Sequence, residues 1–503
     1  MCGIAGCYPA QEFAQVSECL IALAHRGPDA KGLFETPHGT LGQVRLAILD
    51  VAEGHQPMTE KGAFIAFNGE IYNYRTLRGR LPAAVNTDSD TEVILKLYLA
   101  YGPECVKFLD GMFGFAILGR GELFLARDPL GIKPLYYAVN GDRIWFASEV
   151  KALLGKATDV KEFPPGHWWH SRLGLHRYYA IDELAGEAPA ALTSPDAQVL
   201  DQIQATLRAA VYKRLIADEQ VPVGVSLSGG LDSSVVAALA REAKTTLDTF
   251  VVGTTDSADI EASQQVADYL GTRHHVLTYT FDDMLAALPE VIYHLESFDA
   301  PLIRSAIPNY FLAKLASDHV KVILLGEGAD ELFAGYKYLD GISEAGQLDE
   351  ELRLITAKLH NTNLQRADRM TMAHSIEGRV PFLDQEMVKT AFSLPAAWKL
   401  HRSRHAEKEL LRCSVASLLP EQIAWRPKQK FSDGAGSMEL LAVYAAEKIT
   451  DAEFERERPL PGTPKIRSKE ELFYWRIFKE VLGDRLSPEL VGMTRSITRD
   501  ELN

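Results

Sequence analysis

The sequence predicts two domains of different class: an antiparallel α+β domain, then an α/β domain built on a doubly wound, mainly parallel sheet. Three observations lead there. At 503 residues the chain exceeds what a single hydrophobic core organises. From Met1 to about Tyr179 it consists of short β segments bounded by turns, with few helical patterns. Beyond about Gln198 strand and helix patterns alternate, the signature of parallel strands joined by helices that cover both faces of a sheet.

Taken in order, the first β segments are "MCGIAG", "GTLGQVRLAILD", "GAFIAFNGEIYN", "GMFGFAILGRGELFLARD" and "PLYYAVNGDRIWFAS". A helix interrupts them at "TDSDTEVILKLYLAYG", where Ser89 can cap the first turn and Val93, Leu97 and Tyr101 recur at helical spacing. The stretch Ile181 to Gln198, "IDELAGEAPAALTSPDAQ", is acidic, rich in Ala and Pro and weakly patterned. It reads as a linker and puts the boundary at Ser194 and Pro195. In the second domain, 195–503, "VPVGVSLS" leads into "DSSVVAALAREA", "LDTFVVG" into "DIEASQQVADYLG", and "HVKVILLG" into "ADELFAGY". From about Glu344 the remainder is helix-rich, without an internal repeat.

Composition narrows the function classes. Apolar residues make up 47% and charged residues 24%, and no apolar run is long enough to cross a bilayer, so membrane insertion is not expected. A formal charge of -15 without clustered Lys and Arg argues against a nucleic-acid partner and favours small-molecule chemistry. The five cysteines, Cys2, Cys7, Cys19, Cys105 and Cys413, form neither a CxxC pair nor a His/Cys cluster. That disfavours zinc and a disulfide scaffold and suits a reducing cytoplasm. Met1 runs straight into Cys2 without a basic and apolar leader, so no signal peptide is expected.

"SLSGGLDSS", Ser226 to Ser234, is the most informative stretch: an apolar strand feeds two glycines and a hydroxyl-rich turn that opens a helix. Backbone N–H groups bared by Gly229 and Gly230 suit an anion, and Ser228, Ser233 and Ser234 add hydroxyls. The lysine of a Walker loop is absent. Asp232 beside a phosphate cradle is repulsive unless a cation lies between, and Mg²⁺ supplies one. A second acidic group, Glu327, Asp330 and Glu331 of "GEGADE", follows a later strand end, where a doubly wound sheet collects its ligands. Read plainly, those acids complement a helix dipole.

"SGGLDSS" resembles the pyrophosphate loop of the ATP pyrophosphatase group. Together with "LGEGADELFAGY", "EGRVPFLD" and "WRPKQKFSDG" it makes nearly the whole chain similar to the glutamine-hydrolysing asparagine synthetases. That resemblance implies a β-aspartyl adenylate, formed from aspartate and ATP and then attacked by ammonia. It implies pyrophosphate held by Ser228, Gly229, Gly230, Asp232, Ser233 and Ser234, with Mg²⁺ on Asp232 and Asp330. Ser226, Val252, Leu325 and Gly326 would line the adenosine; Glu327 would take a proton from the attacking ammonia, and Lys428 would steady phosphate charge. Two departures from the family pattern stand out. Leu325 stands where many members have Ser, and Pro301-Leu302 where a Thr-Thr pair precedes Ile303 and Arg304. The second lies near the expected acyl-acceptor pocket, so amidation of a different carboxylate is the alternative. A non-catalytic sensor is the alternative from another class, and intact Cys2, Asp232, Glu327 and Lys428 count against it.

The first domain resembles the N-terminal-nucleophile glutamine amidotransferases, which implies an αββα sandwich. Loss of Met1 would leave Cys2 with a free α-amine near its own sulfur, an amine that titrates near ~7.7–8.0 and serves as base at neutral pH. "NGE" supplies oxyanion donors, the amide of Asn68 and the N–H of Gly69. By resemblance, Arg45 with Leu46, Ala47, Ile48 and Leu49 receives the carboxylate end of glutamine, and Glu70 and Asp90 receive its ammonium. Taken alone, Asn68-Gly69 is a hairpin turn, Asp90 a helix-start acid and Arg45 a solvated strand residue. Their joint occurrence behind Cys2 and beside "HRGPD" favours the pocket. A homodimer is the oligomer the family implies.

Overall fold

A computed structural model describes residues 2–82, 84–184, 195–400, 406–427, 438–459, 466–483 and 486–494. The first half contains β1 (Cys2–Tyr8), β2 (Ala30–Thr36), β3 (Gly39–Arg45), β4 (Met58–Glu60), β5 (Ala63–Ile71) and β6 (Gly111–Gly119). These are followed by β7 (Glu122–Arg127), β8 (Tyr136–Asn140), β9 (Arg143–Ala147), β10 (Lys161–Glu162), β11 (His167–His170) and β12 (Gly174–Arg177). They form two sheets, in the orders β10-β8-β9-β1-β3-β2 and β12-β11-β7-β6-β5-β4.

Side-chain alternation explains the layering. On β1, Ile4 joins the core between the sheets while Ala5 and Cys7 face outward; on β5, Ala66 faces inward while Ile65 and Phe67 face outward. The helix Phe13–Ala22 packs on β1 and β3, and the helix Asp90–Tyr101 packs on β5. The result is the expected αββα sandwich. Ser89 caps the second helix, its hydroxyl accepting from the Thr91 N–H at 3.2 Å. Val93 and Leu97 are buried as the spacing requires, but Tyr101 is exposed and lies against Phe108 instead.

The second half is built on five parallel strands: β13 (Val223–Ser226), β14 (Asp248–Gly253), β15 (Arg273–Thr278), β16 (Val322–Leu324) and β17 (Glu377–Arg379), in the order β15-β14-β13-β16-β17. The helices Leu231–Ala243 and Ala258–Leu270 follow β13 and β14 as predicted. "ADELFAGY" gives a helix of four residues, Ala329–Leu332, and β17 was not foreseen. Strand order reverses between β13 and β16, so the segments leaving these two strands border one crevice. Of the expected linker, Ile181–Glu183 is a helical turn held by Arg353, which donates to the carbonyls of Ile181 and Leu184 at 2.9 and 3.1 Å. Residues 185–194 lie outside the described ones. Asp196 caps the next helix, Ala197–Lys213.

Buried charge joins the halves. Arg26 donates through Nε to the Cys2 carbonyl at 3.0 Å, and its Nη1 lies 2.6 Å from Glu149 and 2.8 Å from Asp368 of the second half. Arg369 adds contacts to Glu149 at 3.3 Å and Glu296 at 3.0 Å.

Candidate active sites

The strand pattern gathers the thiol site. Cys2 pairs in register with Arg45 across β1 and β3. Because Ile4 and Leu41 point between the sheets, so do Cys2, Gln43 and Arg45; by the same alternation Asn68 and Glu70 follow Ala66 on β5. The Asn68 Oδ1 accepts from the Cys2 backbone N at 3.2 Å. Its Nδ2 is buried and has no hydrogen-bond acceptor among the described residues. A buried amide donor aimed at nothing costs free energy, and a developing oxyanion would satisfy it. Gly69 is required by close approach: a Cβ there would fall 2.0 Å from the Met112 carbonyl oxygen.

Burial pushes the Cys2 thiol up, while the N-terminal charge, the Leu46 N–H, Gln43 and Arg45 pull it down. A thiol raised in this way needs a base before it can attack. Gln43, which sequence reasoning missed, is locked by bonds to the Phe67 carbonyl at 3.0 Å and the Phe67 N–H at 3.3 Å. Arg45 donates to the carbonyls of Leu49 at 3.1 Å and Asp50 at 2.7 Å, so it shapes the buried segment Leu46, Ala47, Ile48 and Leu49. Glu70 and Asp90 are both buried. Burial, then Glu377, raises Glu70 well above the carboxylate range. Burial raises Asp90 to about 6, although its Oδ2 accepts from the Ile71 N–H at 3.0 Å.

The nucleotide site forms at the strand reversal. Gly229 has φ +72°, and a Cβ there would strike the Ala262 backbone at 2.5 Å, so only glycine fits the turn. Gly230 stands at the helix N-cap. The Ser228 and Ser233 hydroxyls lie 3.1 Å apart, and Ser233 Oγ also accepts from the Ser228 N–H at 3.1 Å. Ser234 is fully enclosed, its hydroxyl without a partner among the described residues. Ser226 ends β13 beside β14, which carries Val252. Leu325 and Gly326 leave β16, and Gly326 abuts the loop: a Cβ on it would lie 3.0 Å from the Asp232 Cβ.

Asp232 and Asp330 converge on a cation that the sequence reading missed. Lys408 Nζ lies 2.7 Å from both oxygens of Asp232 and 2.9 Å from Asp330 Oδ1. Against the cost of its own burial, the two carboxylates hold this ammonium charged. No group of three or more His, Cys, Asp or Glu able to hold a metal occurs among the described residues. Two convergent carboxylates nevertheless fit Mg²⁺, which takes one or two protein carboxylates plus phosphate and water. Asp232 and Asp330 would hold it, and it would supply charge neutralisation for the phosphates.

Glu327 is paired: Arg366 Nη2 lies 2.5 Å from its Oε1, and Arg366 Nη1 donates to the Ser305 hydroxyl at 2.8 Å. Ser305 stands one turn into the helix Ala300–Ser317, whose start contains Pro301 and Leu302. Pro301 is exposed and Leu302 is buried in the core. Burial, then Asp330, raises Glu331 to about 7, and its carboxylate accepts from the Tyr336 hydroxyl and from Asn363 at 3.2 Å. Lys428 lies outside the described residues.

Residues 1–178 match the family of glutamine amidotransferase domains, and residues 202–344 and 340–494 match the asparagine synthase family. With the sandwich and the parallel sheet, these matches define a class, glutamine amidotransferases fused to an ATP-using ligase domain. "Asparagine synthetase [glutamine-hydrolyzing] 3" of Arabidopsis thaliana is 41% identical over 87% of this chain and 79% of its own. "Asparagine synthetase B [glutamine-hydrolyzing]" of Escherichia coli is 36% identical over 91% and 86%, and the probable enzyme of Dictyostelium discoideum is 36% identical over 93% and 90%. The chain belongs to the glutamine-hydrolysing asparagine synthetase family.

Proposed function

We propose that this enzyme uses ATP and glutamine to amidate aspartate, giving asparagine, AMP, pyrophosphate and glutamate. Residues 1–194 act as glutaminase and 195–503 as synthetase. The observation that carries the reading is Asn68, which accepts from Cys2 while keeping a buried, unsatisfied donor beside it. After loss of Met1, the α-amine of Cys2 takes the thiol proton, and sulfur attacks the amide carbon of glutamine. Asn68 Nδ2 and the Gly69 N–H receive the oxyanion; ammonia leaves, and water releases glutamate from the thioester. Glu70 and Asp90 hold the α-ammonium of glutamine, and Arg45 with its loop holds the carboxylate.

In the other half, the loop Ser228–Ser234 receives the phosphates, and the β-carboxylate of aspartate attacks the α-phosphorus. Pyrophosphate leaves, ammonia attacks the acyl carbon, and Glu327, fixed by Arg366, accepts the proton that the new N–H⁺ must lose. Lys408 and Lys428 offset phosphate charge. The homodimer and cytoplasmic setting expected of the family belong to the same reading. Among the described residues no helix is long and apolar enough to cross a membrane.

Cys2→Ala tests the division of labour: product from glutamine should vanish while product from ammonium chloride persists. Near-parental synthesis from glutamine would refute it. A second reading, a different carboxylate, is favoured by Pro301 and Leu302 opening the helix that carries Ser305. Pyrophosphate release with glutamine and ATP held constant and the carboxylate varied decides between the two.

A further inference from the structure

The far end of the expected glutamine pocket is not built by the glutaminase half alone. Arg379, on β17 of the synthetase half, is fully buried and brings its Nη2 to 3.3 Å from Glu70 Oε1. Its other donors are committed: Nε to Glu377 at 2.5 Å, and Nη1 to the carbonyls of Arg214 and Ile216 at 2.8 and 2.5 Å. Nη2 makes no hydrogen bond among the described residues, so the Glu70 contact is an ion pair rather than a closed bridge. The Tyr72 ring stands 5.9 Å from the guanidinium carbon. Two buried carboxylates, Glu70 and Glu377, thus share one guanidinium, and a third, Asp90, acts on Glu70. A buried carboxylate without a cation takes up a proton instead, and a protonated Glu70 attracts an ammonium poorly.

We propose that Arg379 is a positioning residue of the glutamine pocket, a guanidinium lent by the synthetase half that offsets the neighbouring carboxylates at Glu70 and leaves Glu70 open to the α-ammonium of glutamine. The proposal rests on the reading of Glu70 and Asp90 as ammonium acceptors. Glutamine then meets a complete pocket only where the two halves are docked, and its arrival adds a cation beside Glu70. Tyr72, Tyr74, the N-terminal charge, Asp90 and Glu377 are the other groups that act on Glu70.

The test is glutamine hydrolysis by the full-length enzyme from pH 6 to 8.5. Arg379→Gln should raise KM for glutamine about tenfold at pH 7, and the excess over the parent should shrink as pH rises and Glu70 ionises without help. Arg379→Lys, which keeps the charge, should recover most of the affinity. A variant KM equal to the parent's at every pH, with kcat alone reduced, would overturn the proposal. If Arg379→Gln fails to fold by circular dichroism, Glu377→Gln gives the opposite sign: with one competing carboxylate gone, KM at pH 6 should fall below the parent's, and a rise there overturns the proposal. Glu70→Gln separates the layers. If it leaves KM untouched, the ammonium-acceptor reading fails; if it raises KM while Arg379→Gln does not, the Arg379 proposal alone fails.

Discussion

Replacement of Asn68 by alanine isolates the oxyanion site. Asn68 is fully buried; its Oδ1 accepts from the Cys2 backbone N and its Nδ2 has no acceptor among the described residues. Losing one preorganised oxyanion donor costs about 2.7–4 kcal/mol in the transition state, a fall of ~10²–10³ in kcat. KM should change little, because the planar amide of bound glutamine carries no oxyanion to stabilise. Asn68→Asp should be at least as slow: it keeps an acceptor for Cys2 but sets negative charge where the oxyanion forms. Glutamate release is measured against glutamine concentration, with ammonium-driven asparagine formation as the control for folding of the second half. If Asn68→Ala keeps kcat within threefold of the parent, or loses KM instead of kcat, the buried amide is structural and the oxyanion argument is wrong.

The remaining predictions concern the synthetase half. Lys408→Met removes the buried ammonium shared by Asp232 and Asp330 and should cost about 3 kcal/mol of stability. Added MgCl₂ should then raise the variant's Tm more than the parent's, and an equal response would contradict a shared cation position. Glu327→Ala should keep measurable exchange of labelled pyrophosphate into ATP while transfer to ammonia drops by ~10²-fold or more. Loss of exchange with Mg²⁺-ATP binding intact would move Glu327 into adenylation. Glu331 is held at about 7 against an ordinary 4.5, so the folded chain keeps a proton that the unfolded chain releases in between. Its contribution to stability therefore declines as pH rises from 4.5 to 7. Glu331→Gln, which cannot ionise, should gain up to ~3 kcal/mol relative to the parent across that window. Urea unfolding at several pH values reads the difference, and a constant offset would contradict it.

What was legible in the sequence follows from where the information sits. Long strands that alternate between two environments, such as "AFIAFNGEI", announce themselves by period two, and the loop Ser226–Ser234 concentrates glycines, hydroxyls and an acid in one run. β17 was invisible because its three residues, Glu377, Gly378 and Arg379, include two charged ones buried by pairing rather than by apolar pattern. Lys408, Arg366 and Arg379 were missed for a related reason. Each completes a carboxylate remote in the chain, 176 residues for Lys408 with Asp232 and 39 for Arg366 with Glu327, and no local spacing encodes such a partner. The carboxylates themselves were readable, since an acid beside a phosphate loop or at the start of a helix has a local reason to be there. Gln43 shows the middle case: a polar residue on a buried strand two positions before Arg45 shares its face, and that alternation is a signal the sequence did carry.

The junction between the halves constrains how the two chemistries can communicate. Arg26 holds the Cys2 carbonyl with one nitrogen and Asp368 with two others, so the strand that carries the thiol is tied directly to the helix Asn363–Met372, which also carries Arg366. Against the cost of burial, Arg26 and Lys133 hold Asp368 below the usual carboxylate range, and Lys151 and His25 act in the same sense on Glu149. Separating the halves would strand these charges, and each broken buried pair costs about 3–5 kcal/mol. Wide opening of the junction during turnover is therefore expensive, whereas redistribution of charge inside a closed junction is not. Glu70 and Arg379 sit on such a closed contact, with an ion pair that an incoming ammonium can share without moving either backbone. Communication between glutamine binding and the synthetase half should accordingly appear as changes in affinity and pH dependence rather than as a change in overall dimensions. Small-angle scattering with and without glutamine should superimpose, and a measurable expansion would place the coupling in domain motion instead.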